Sequence, residues 1–255
     1  DSAALLDVSH GPAPYDPYAA PPVERPYLEE VERPPGALRV GWVRRPITRT
    51  PVQPECEEAV ADAAKLCESL GHSVEEAAFD IDPRPYYEAA GINNAVHTLR
   101  TIRAREQQLG RPIREEELES LNWVKIARAE AMSGVDMANA RETFYRAGES
   151  VATMMQRFDV LLTPTQAAPP AKLGVMSLSN PDEAAFTAAA IDASAFTQLY
   201  NVTGQPAMSL PLHMTPDGLP VGVMFAAAVG REDLLFRLAA QLEQERPWFD
   251  RRPPI

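Results

Sequence analysis

The sequence predicts an α/β protein in which a mixed β-sheet is flanked by helices. Residues 38–79 change from a strand pattern to a helix pattern and back, which is typical of a strand–helix–strand unit. Three short apolar runs, at 160–162, 207–210 and 221–226, each begin or end beside a proline, as buried strands often do. With 255 residues and 45% hydrophobic content, the chain can form one domain over residues 1–255.

The strand–helix–strand unit opens with a predicted strand over residues 38–43, in which Val40 and Trp42 alternate with less apolar neighbours. The helix that follows is predicted to end at Gly71, because glycine adopts the conformation that closes helix C termini. A second strand is predicted over residues 74–79. Such a unit places a helix against a sheet.

The two cysteines, Cys56 and Cys67, share one stripe of the predicted helix with Val60 and Leu70. We interpret them as buried thiols, because residues so far apart along one helix cannot meet in a disulfide. No apolar run approaches the roughly 20 residues that span a bilayer, and no signal-peptide pattern is visible. We therefore expect a cytoplasmic location and no membrane partner.

The C-terminal region, residues 158–250, is predicted to hold the core of the sheet. The run 160–162 should end a central strand, since Pro164 has no N–H for a sheet ladder. The runs 207–210 and 221–226 should form a hairpin, because the Thr-Pro-Asp-Gly between them is turn sequence. A following helix should cover the sheet with an apolar stripe. The stripe consists of Leu234, Leu235, Leu238, Ala239 and Leu242.

Residues 84–157 are predicted to be almost wholly helical, with breaks at 110–112 and 121–123. The second break contains Trp123. A large aromatic residue at such a position either lines the mouth of a pocket or completes the core, and the sequence leaves both roles open.

Residues 8–37 are rich in proline and tyrosine and show neither helical nor strand periodicity. We interpret them as a segment that wraps over the rest of the protein. A polyproline ligand for a partner domain is the alternative.

The formal net charge of −12 excludes nucleic acid and anionic membrane surfaces as partners, because both require basic patches. The four histidines are far apart, and none has a second histidine four residues away. No zinc site is therefore expected.

Three stretches in fixed order carry a family resemblance: FDVLLTPT, then NVTGQPAMSLP, then DGLPVGVMF followed by GREDLLFRLAAQLEQERPW. Together they resemble the C-terminal part of the amidase-signature family of serine hydrolases. The resemblance extends through LRVGWV and LCESLGHSVEE to the opening DSAALLD, so it covers nearly the whole chain. It implies a partial amidase-signature fold, in which helices flank a mixed sheet.

The resemblance also implies a mechanism. In that family a buried neutral lysine takes a proton, through a bridging serine, from a nucleophilic serine that attacks the amide carbonyl. The nucleophilic serine of the family stands in a Gly/Ser-rich stretch, and all three residues lie upstream of the segment resembling DSAALLD; no such stretch occurs here. We therefore expect no catalytic residue in this chain, and no metal or organic cofactor.

The start of the sequence agrees with that expectation. Asp1 is not methionine, and an apolar helical face begins at Ala3. This pattern favours the C-terminal part of a longer protein; a native terminus that frays at its first turn is the alternative.

The resemblance assigns substrate-binding roles to segments of this chain. The helical region 84–157 resembles the lid and acyl-side pocket, and Trp123 is its candidate. Thr163, Ser194, Phe196 and Asn201 belong to segments that approach the site from the sheet. Members serving tRNA-dependent glutamine hydrolysis carry aspartate where Ser194 stands. The resemblance is therefore closer to bacterial amidases acting on small or linear amides, including those that open cyclic nylon-type dimers.

Two classes of function follow. The first is an amidase whose catalytic residues lie upstream, with this chain forming sheet core and substrate pocket. The second is a non-catalytic binding or scaffold subunit on the same half-fold. A half-fold exposes a sheet edge and apolar helix faces. We therefore expect a partner, either the upstream segment, another chain, or a second copy in a homo-oligomer.

Overall fold

The computed structural model describes residues 1–251 and contains a five-stranded mixed sheet with strand order β2-β1-β3-β5-β4. Strand β1 pairs in parallel with β2 and β3, whereas β5 pairs antiparallel with β3 and β4. The predicted mixed sheet is confirmed. The strands are β1 (Arg39–Val43), β2 (Ser73–Ala77), β3 (Val160–Pro164), β4 (Ala207–Met214) and β5 (Pro220–Ala227).

Helices flank the sheet on both faces and also form a separate bundle at one side. They are α1 (Ser2–Ser9), α2 (Tyr27–Glu30), α3 (Pro54–Ser69), α4 (Pro83–Leu109), α5 (Ser120–Glu130), α6 (Gly134–Met154), α7 (Glu183–Ser194), α8 (Thr197–Thr203) and α9 (Glu232–Glu245). Within the described part of the chain, no helix is both long and apolar enough to cross a membrane.

Alternating side chains of the buried strands point to opposite faces of the sheet and pack into two separate core clusters. Leu162 and Phe225 pack on one face with Leu238 of α9 and with residues of α3. On the other face, Leu161 packs with Phe196 and with other residues near α8. Burying one leucine or phenylalanine side chain contributes about 1.5–3 kcal/mol, so these clusters fix the register of the sheet.

The predicted hairpin is confirmed, but β4 is longer than the sequence indicated. It was expected to end at Pro211, and it continues to Met214. The pairing of β4 with β5 is irregular between Leu210 and His213, so Pro211 falls where the regular ladder is interrupted. A proline without an N–H is tolerated at such a position.

The helical region departs from the prediction at its second break. Residues 121–123 lie in the first turn of α5, so the break expected there is wrong and Trp123 is a helical residue. The second break lies just before α6, where Ser133 and Asp136 form a capping box. The Asp136 carboxylate accepts the Ser133 N–H at 2.7 Å, and the Ser133 hydroxyl accepts the Asp136 N–H at 3.2 Å.

The proline-rich segment 8–37 is attached to the rest of the protein at its C-terminal end. The Asp7 carboxylate accepts the backbone N–H of Tyr27 at 2.6 Å, which starts helix α2. The ring of Tyr27 then packs against Phe236 of α9, with centroids 5.5 Å apart. Next to it, the Glu30 carboxylate is buried and bonds to Arg237 of α9.

The cysteines behave as predicted. Cys56 and Cys67 are buried, free thiols on α3. Burial raises the pKa of Cys56 to about 11 and that of Cys67 to about 12, so both remain protonated and poorly nucleophilic near neutral pH.

Candidate functional site

Helices α4, α6 and α8 meet around a small apolar cluster away from the sheet. Tyr86 of α4 is fully buried against Ala147 and Val151 of α6 and Leu199 of α8. This cluster fixes the three helices relative to one another. The surface above it is concave.

Two adjoining cavities of about 500 Å³ each lie in this concave surface. Both are lined by Asn93, His97, Phe144 and Val202, so they form one depression, which we call the helix groove. A volume of this size suits a small organic ligand. The remaining lining residues are Ala90, Asn94, Thr98, Thr101, Ile102, Asn122, Met137, Arg141, Tyr145, Gly148, Gln198 and Thr203.

Helix α4 supplies the polar wall of the groove. Asn94, His97 and Thr101 follow one another at spacings of three and four residues, and Thr98 stands four residues after Asn94, which places the four side chains on one side of the helix. An ordinary surface helix turns an apolar stripe inward. Here a polar face lines a cavity, and its amide and hydroxyl groups can bond to a ligand.

Helix α8 is anchored so that Gln198 and Val202 lie at the groove. The buried Tyr86 hydroxyl donates to the Gln198 carbonyl at 3.4 Å. The helix ends at Gly204, whose φ of 83° is one that glycine adopts without strain. The position of α8 at the groove is therefore fixed by its hydrogen bond to α4 and by its termination at Gly204.

The helix groove contains no acidic residue, although the chain has 36 aspartates and glutamates. Its cavity between α4, α5 and α8 has no formally charged side chain at all. Arg141 is the one arginine or lysine in the lining of the two cavities. The groove is therefore suited to a ligand that is neutral along most of its length.

A second concave surface lies at the carboxyl end of β3. It is a cavity of about 290 Å³ that includes Thr165, Ser209 and Gly222. The Thr165 and Ser209 hydroxyls are hydrogen-bonded at 2.6 Å, directly over Gly222. A Cβ atom at position 222 would lie 2.5 Å from the Ser209 Oγ, so any larger residue would have to displace one of the two hydroxyls.

A third cavity, of about 660 Å³, lies beyond the ends of β1 and β2, where Arg45 and Arg49 contribute to its lining. The Gln53 N–H donates to the Ala167 carbonyl at 2.8 Å and so joins the loops that follow β1 and β3. Ligands of open α/β sheets often bind at the carboxyl ends of parallel strands. The second and third cavities occupy that end of the sheet.

The predicted site residues lie around these cavities but outside their linings. Thr163 is buried in β3, where its hydroxyl donates to the Pro164 carbonyl at 2.8 Å, and Phe196 is buried in the core. The Ser194 hydroxyl donates to the Ala190 carbonyl at 2.7 Å. Asn201 is exposed on α8, and the Trp123 indole N–H donates to the Glu115 carbonyl at 3.1 Å.

Three serines could be considered as nucleophiles, and each is occupied locally. The Ser133 hydroxyl lies 2.7 Å from the Asp136 carboxylate, and the Ser150 hydroxyl donates to the Asp80 carbonyl at 3.2 Å. Ser194 is bonded within its own helix. Within residues 1–251 no hydrogen bond joins a lysine to any of the three, so none of them has the partner of a serine–lysine mechanism.

Sequence reasoning missed the residues at the centre of the helix groove. Asn93 and His97 belong to a helix for which the sequence predicts no site residue, Gln198 stands two positions after the predicted Phe196, and Val202 directly follows the predicted Asn201. The sequence feature that could have indicated the groove is the face of α4 that contains Asn93 and His97, because this face is polar but carries neither an apolar stripe nor a run of charges.

Comparison with known proteins gives consistent results. The family model described as Amidase matches residues 1–236. A 6-aminohexanoate-cyclic-dimer hydrolase from Paenarthrobacter ureafaciens is 36% identical, over 100% of this chain and 53% of the relative. An acylamidase from Rhodococcus erythropolis is 30% identical, over 99% of this chain and 52% of the relative. This chain thus spans about half the length of the curated relatives it matches.

Solved structures extend the similarity to three dimensions. A structure of 6-aminohexanoate cyclic dimer hydrolase matches 99% of this chain and 54% of its own, with a TM-score of 0.90 and 35% identity. A bacterial aryl acylamidase of the amidase-signature family matches with a TM-score of 0.79 and 20% identity, which shows the shared fold alone. The match over residues 1–236 and the similarity to these relatives show that the chain belongs to the amidase family, whose members carry the amidase signature.

Proposed function

We propose that this chain forms the substrate-binding part of an amidase, a hydrolase acting on non-peptide C–N bonds. The helix groove carries the proposal: a mostly neutral, amide-lined depression in a chain of the amidase family. Asn93 and Gln198 each offer a donor and an acceptor in their side-chain amides. Such groups match the N–H and the carbonyl of an amide substrate.

The nucleophilic serine, the bridging serine and the lysine are proposed to lie outside residues 1–255. The local bonding of Ser133, Ser150 and Ser194 supports this division. In the reaction, water is added across the C–N bond and yields a carboxylic acid and an amine. The share of this chain is to hold the amide against the catalytic serine and to exclude other water, which lowers the entropic part of the barrier.

The proposed substrates are small or linear amides, with cyclic dimers of amino acids as a further candidate class. Two relatives that match 100% of this chain are 6-aminohexanoate-cyclic-dimer hydrolases. The absence of acidic groups from the lining of the helix groove disfavours a cationic substrate, and its largely neutral lining suits the amide part of a substrate. Trp123, Ser194 and Asn201 are proposed to extend the pocket wall, since Trp123 and Asn201 directly adjoin the lining residues Asn122 and Val202, and Ser194 stands four positions before Gln198. Thr163 and Phe196 are proposed to hold that wall from the sheet side.

Helix α7 supports the proposal that further polypeptide packs against this chain. Its sequence, EAAFTAAAIDAS, is apolar around most of its circumference, yet none of its described side chains is buried. Ile191 is 40% exposed, and Leu173 and Met176 in the preceding loop are exposed as well. Helices that are apolar on all sides are normally buried. We propose that the part of an amidase not spanned by this chain covers α7.

We also propose that the protein is located in the cytoplasm and that this chain, when isolated, associates with itself. The proposed cytoplasmic location is supported by the expectation from the sequence and by the two cysteines, which are free thiols in the structure. Self-association rests on exposed apolar side chains of α7 and of the loop before it.

The proposal is tested by labelling the native cell extract with a fluorophosphonate, which reacts with activated serines. Peptides of this chain should be recovered from a labelled species larger than 28.0 kDa, and that species should hydrolyse 6-aminohexanoate cyclic dimer or small linear amides. An unlabelled 28.0 kDa species would overturn the amidase proposal in favour of a binding or scaffold subunit. Label on Ser133, Ser150 or Ser194 would instead overturn the placement of the nucleophile.

A further inference from the structure

Arg141 occupies one end of the helix groove. It lines the same cavity as Asn93 and His97. Its guanidinium donates to the Tyr145 hydroxyl, one helical turn later, at 3.2 Å. Because the tyrosine oxygen accepts this bond, its own O–H remains available as a donor. One end of the groove therefore holds a cation together with a neutral hydroxyl donor.

No carboxylate neutralises this cation among the residues that the structure describes. The lining of the cavity contains no aspartate or glutamate, and Arg141 takes part in none of the ion pairs between described residues. Arg146 on the same helix differs, because it is bonded to Glu142 at 3.2 Å. The remaining N–H groups of Arg141 are therefore free of an acidic partner.

The hydroxyls around Arg141 stabilise its cationic form. The hydrogen bond to Tyr145 is the main cause that raises the pKa of Arg141 above its usual value, and Tyr18 in the proline-rich segment acts in the same direction. The side chain is cationic at every pH at which the protein is folded. Tyr18 brings a further hydroxyl to the same place.

We infer that Arg141 and Tyr145 form a carboxylate-binding subsite at the end of the helix groove. Guanidinium groups bind carboxylates with charge-assisted hydrogen bonds that are roughly twice as strong as neutral ones. The rest of the groove is lined by neutral groups such as Asn93 and Gln198, which suit an amide. The ligand class is thus a linear amide with a free carboxylate at one end, or the acid released by amide hydrolysis.

This inference deepens the proposed amidase function, because it defines the charge and polarity of a ligand for the same groove. It does not depend on turnover. A scaffold subunit with the same groove would bind the same class of ligand.

Binding is tested with the 255-residue chain by calorimetry and by ligand-observed NMR. The matched probes are 6-acetamidohexanoate and 6-acetamidohexanamide, which differ only in a terminal carboxylate or neutral amide. The carboxylate should bind at least about 10-fold more tightly, the effect of one charge-assisted contact. Equal binding of the two probes, or no binding of either, overturns the subsite.

Three variants separate the subsite from a general surface effect. Arg141→Gln should abolish the preference for the carboxylate, and Tyr145→Phe should reduce it. Arg146→Gln, five residues further along α6, should preserve it. Circular dichroism establishes that each variant is folded. A preference that survives in Arg141→Gln, or that is lost equally in Arg146→Gln, contradicts the inference.

Binding of a third probe, 6-aminohexanoate, distinguishes the two candidate ligands, which are an amide with a free carboxylate and the acid released by hydrolysis. If it binds as tightly as 6-acetamidohexanoate, the subsite holds the acid product. If only the acetylated probe binds, it recognises an amide that carries an acid. Failure of the amidase proposal leaves these equilibrium measurements unchanged, so the two can fail separately.

Discussion

The carboxylate of Glu30 accepts a hydrogen bond from the Arg237 guanidinium at 2.6 Å, across 207 positions of sequence. The Glu30 side chain is only 2% exposed, and Arg25 donates to its other oxygen at 2.8 Å. The pair holds the end of the proline-rich segment against α9. A buried carboxylate between two arginines is a strong contact only while all three groups are present.

Replacing Glu30 with glutamine should lower the free energy of unfolding by about 2–3 kcal/mol, because two partly buried guanidinium groups lose their counter-charge. Urea denaturation at neutral pH measures the change. Glu29→Gln is the matched control, since Glu29 is exposed and in no ion pair among the described residues, and it should be nearly neutral. Equal effects of both substitutions would show that the segment is not held by this pair.

The protein should lose stability in acid. Burial raises the pKa of Glu30, but hydrogen bonds from Arg237 and Arg25 outweigh burial and leave it below its usual value. Hydrogen bonds from Arg111 lower the pKa of Glu117 to about 2. A carboxyl group with a lowered pKa in the folded state stabilises the fold above its unfolded pKa and loses that effect as pH falls.

The free energy of unfolding should therefore decline as the pH drops from about 4.5 towards 2. Urea denaturation at stepped pH values measures the slope. Because a glutamine side chain does not titrate, the decline should be shallower in Glu30→Gln. An identical slope in the variant would mean that Glu30 has the same pKa in the folded and unfolded chains.

Gly222→Ala should destabilise the protein by about 1–3 kcal/mol through overpacking. The new methyl group would lie 2.5 Å from the Ser209 Oγ and 2.7 Å from the Thr165 Oγ1. Ser209→Ala removes one of these clashes, so the double variant should lose less stability than the two single changes added together. Thermal unfolding of all four proteins completes the cycle, and strict additivity would contradict the close approach.

Asn93→Leu in the native enzyme should reduce kcat/KM for a small neutral amide by about 10-fold, because the groove loses a donor and an acceptor. Steady-state kinetics on a linear amide measures it. Asn139→Leu, an exposed asparagine of α6 outside the groove lining, is the control and should retain wild-type kinetics. Similar losses in both variants would rule out a direct role for Asn93.

The chain alone should self-associate through α7. Ile191→Lys should shift the sedimentation of the chain towards the monomer, because it puts a charge on an exposed apolar helix. Val135→Lys on α6 is the comparison, since Val135 is also exposed, at 67%. A monomeric wild-type chain, or an equal shift with Val135→Lys, would show that α7 does not drive association.

Most of the sheet was predictable because its signals are local. The apolar run before Pro164 marked the end of β3, and the turn sequence before Pro220 marked the hairpin. The start of α6 also had a local signal, the Ser133 and Asp136 capping pair, but the polar residues around 121–123 led to a break being predicted there instead.

The helix groove had no comparable signal. Asn93, Phe144 and Val202 come together only after three helices pack around the buried Tyr86. Each residue alone is an ordinary helical side chain. Periodicity identifies which side of a helix is apolar, but it does not identify which polar side will line a cavity.

The central position of β3 has a consequence for folding kinetics. The β1–α3–β2 unit and the β4–β5 hairpin each join strands that are near in sequence, so both can form early. Strand β3 joins these two units, and Arg39 reaches Asp159 across 120 positions to seat it beside β1. Closing so long a loop is entropically costly and slow. Insertion of β3 is therefore expected to limit the folding rate, and substitutions at the Arg39–Asp159 contact should change that rate.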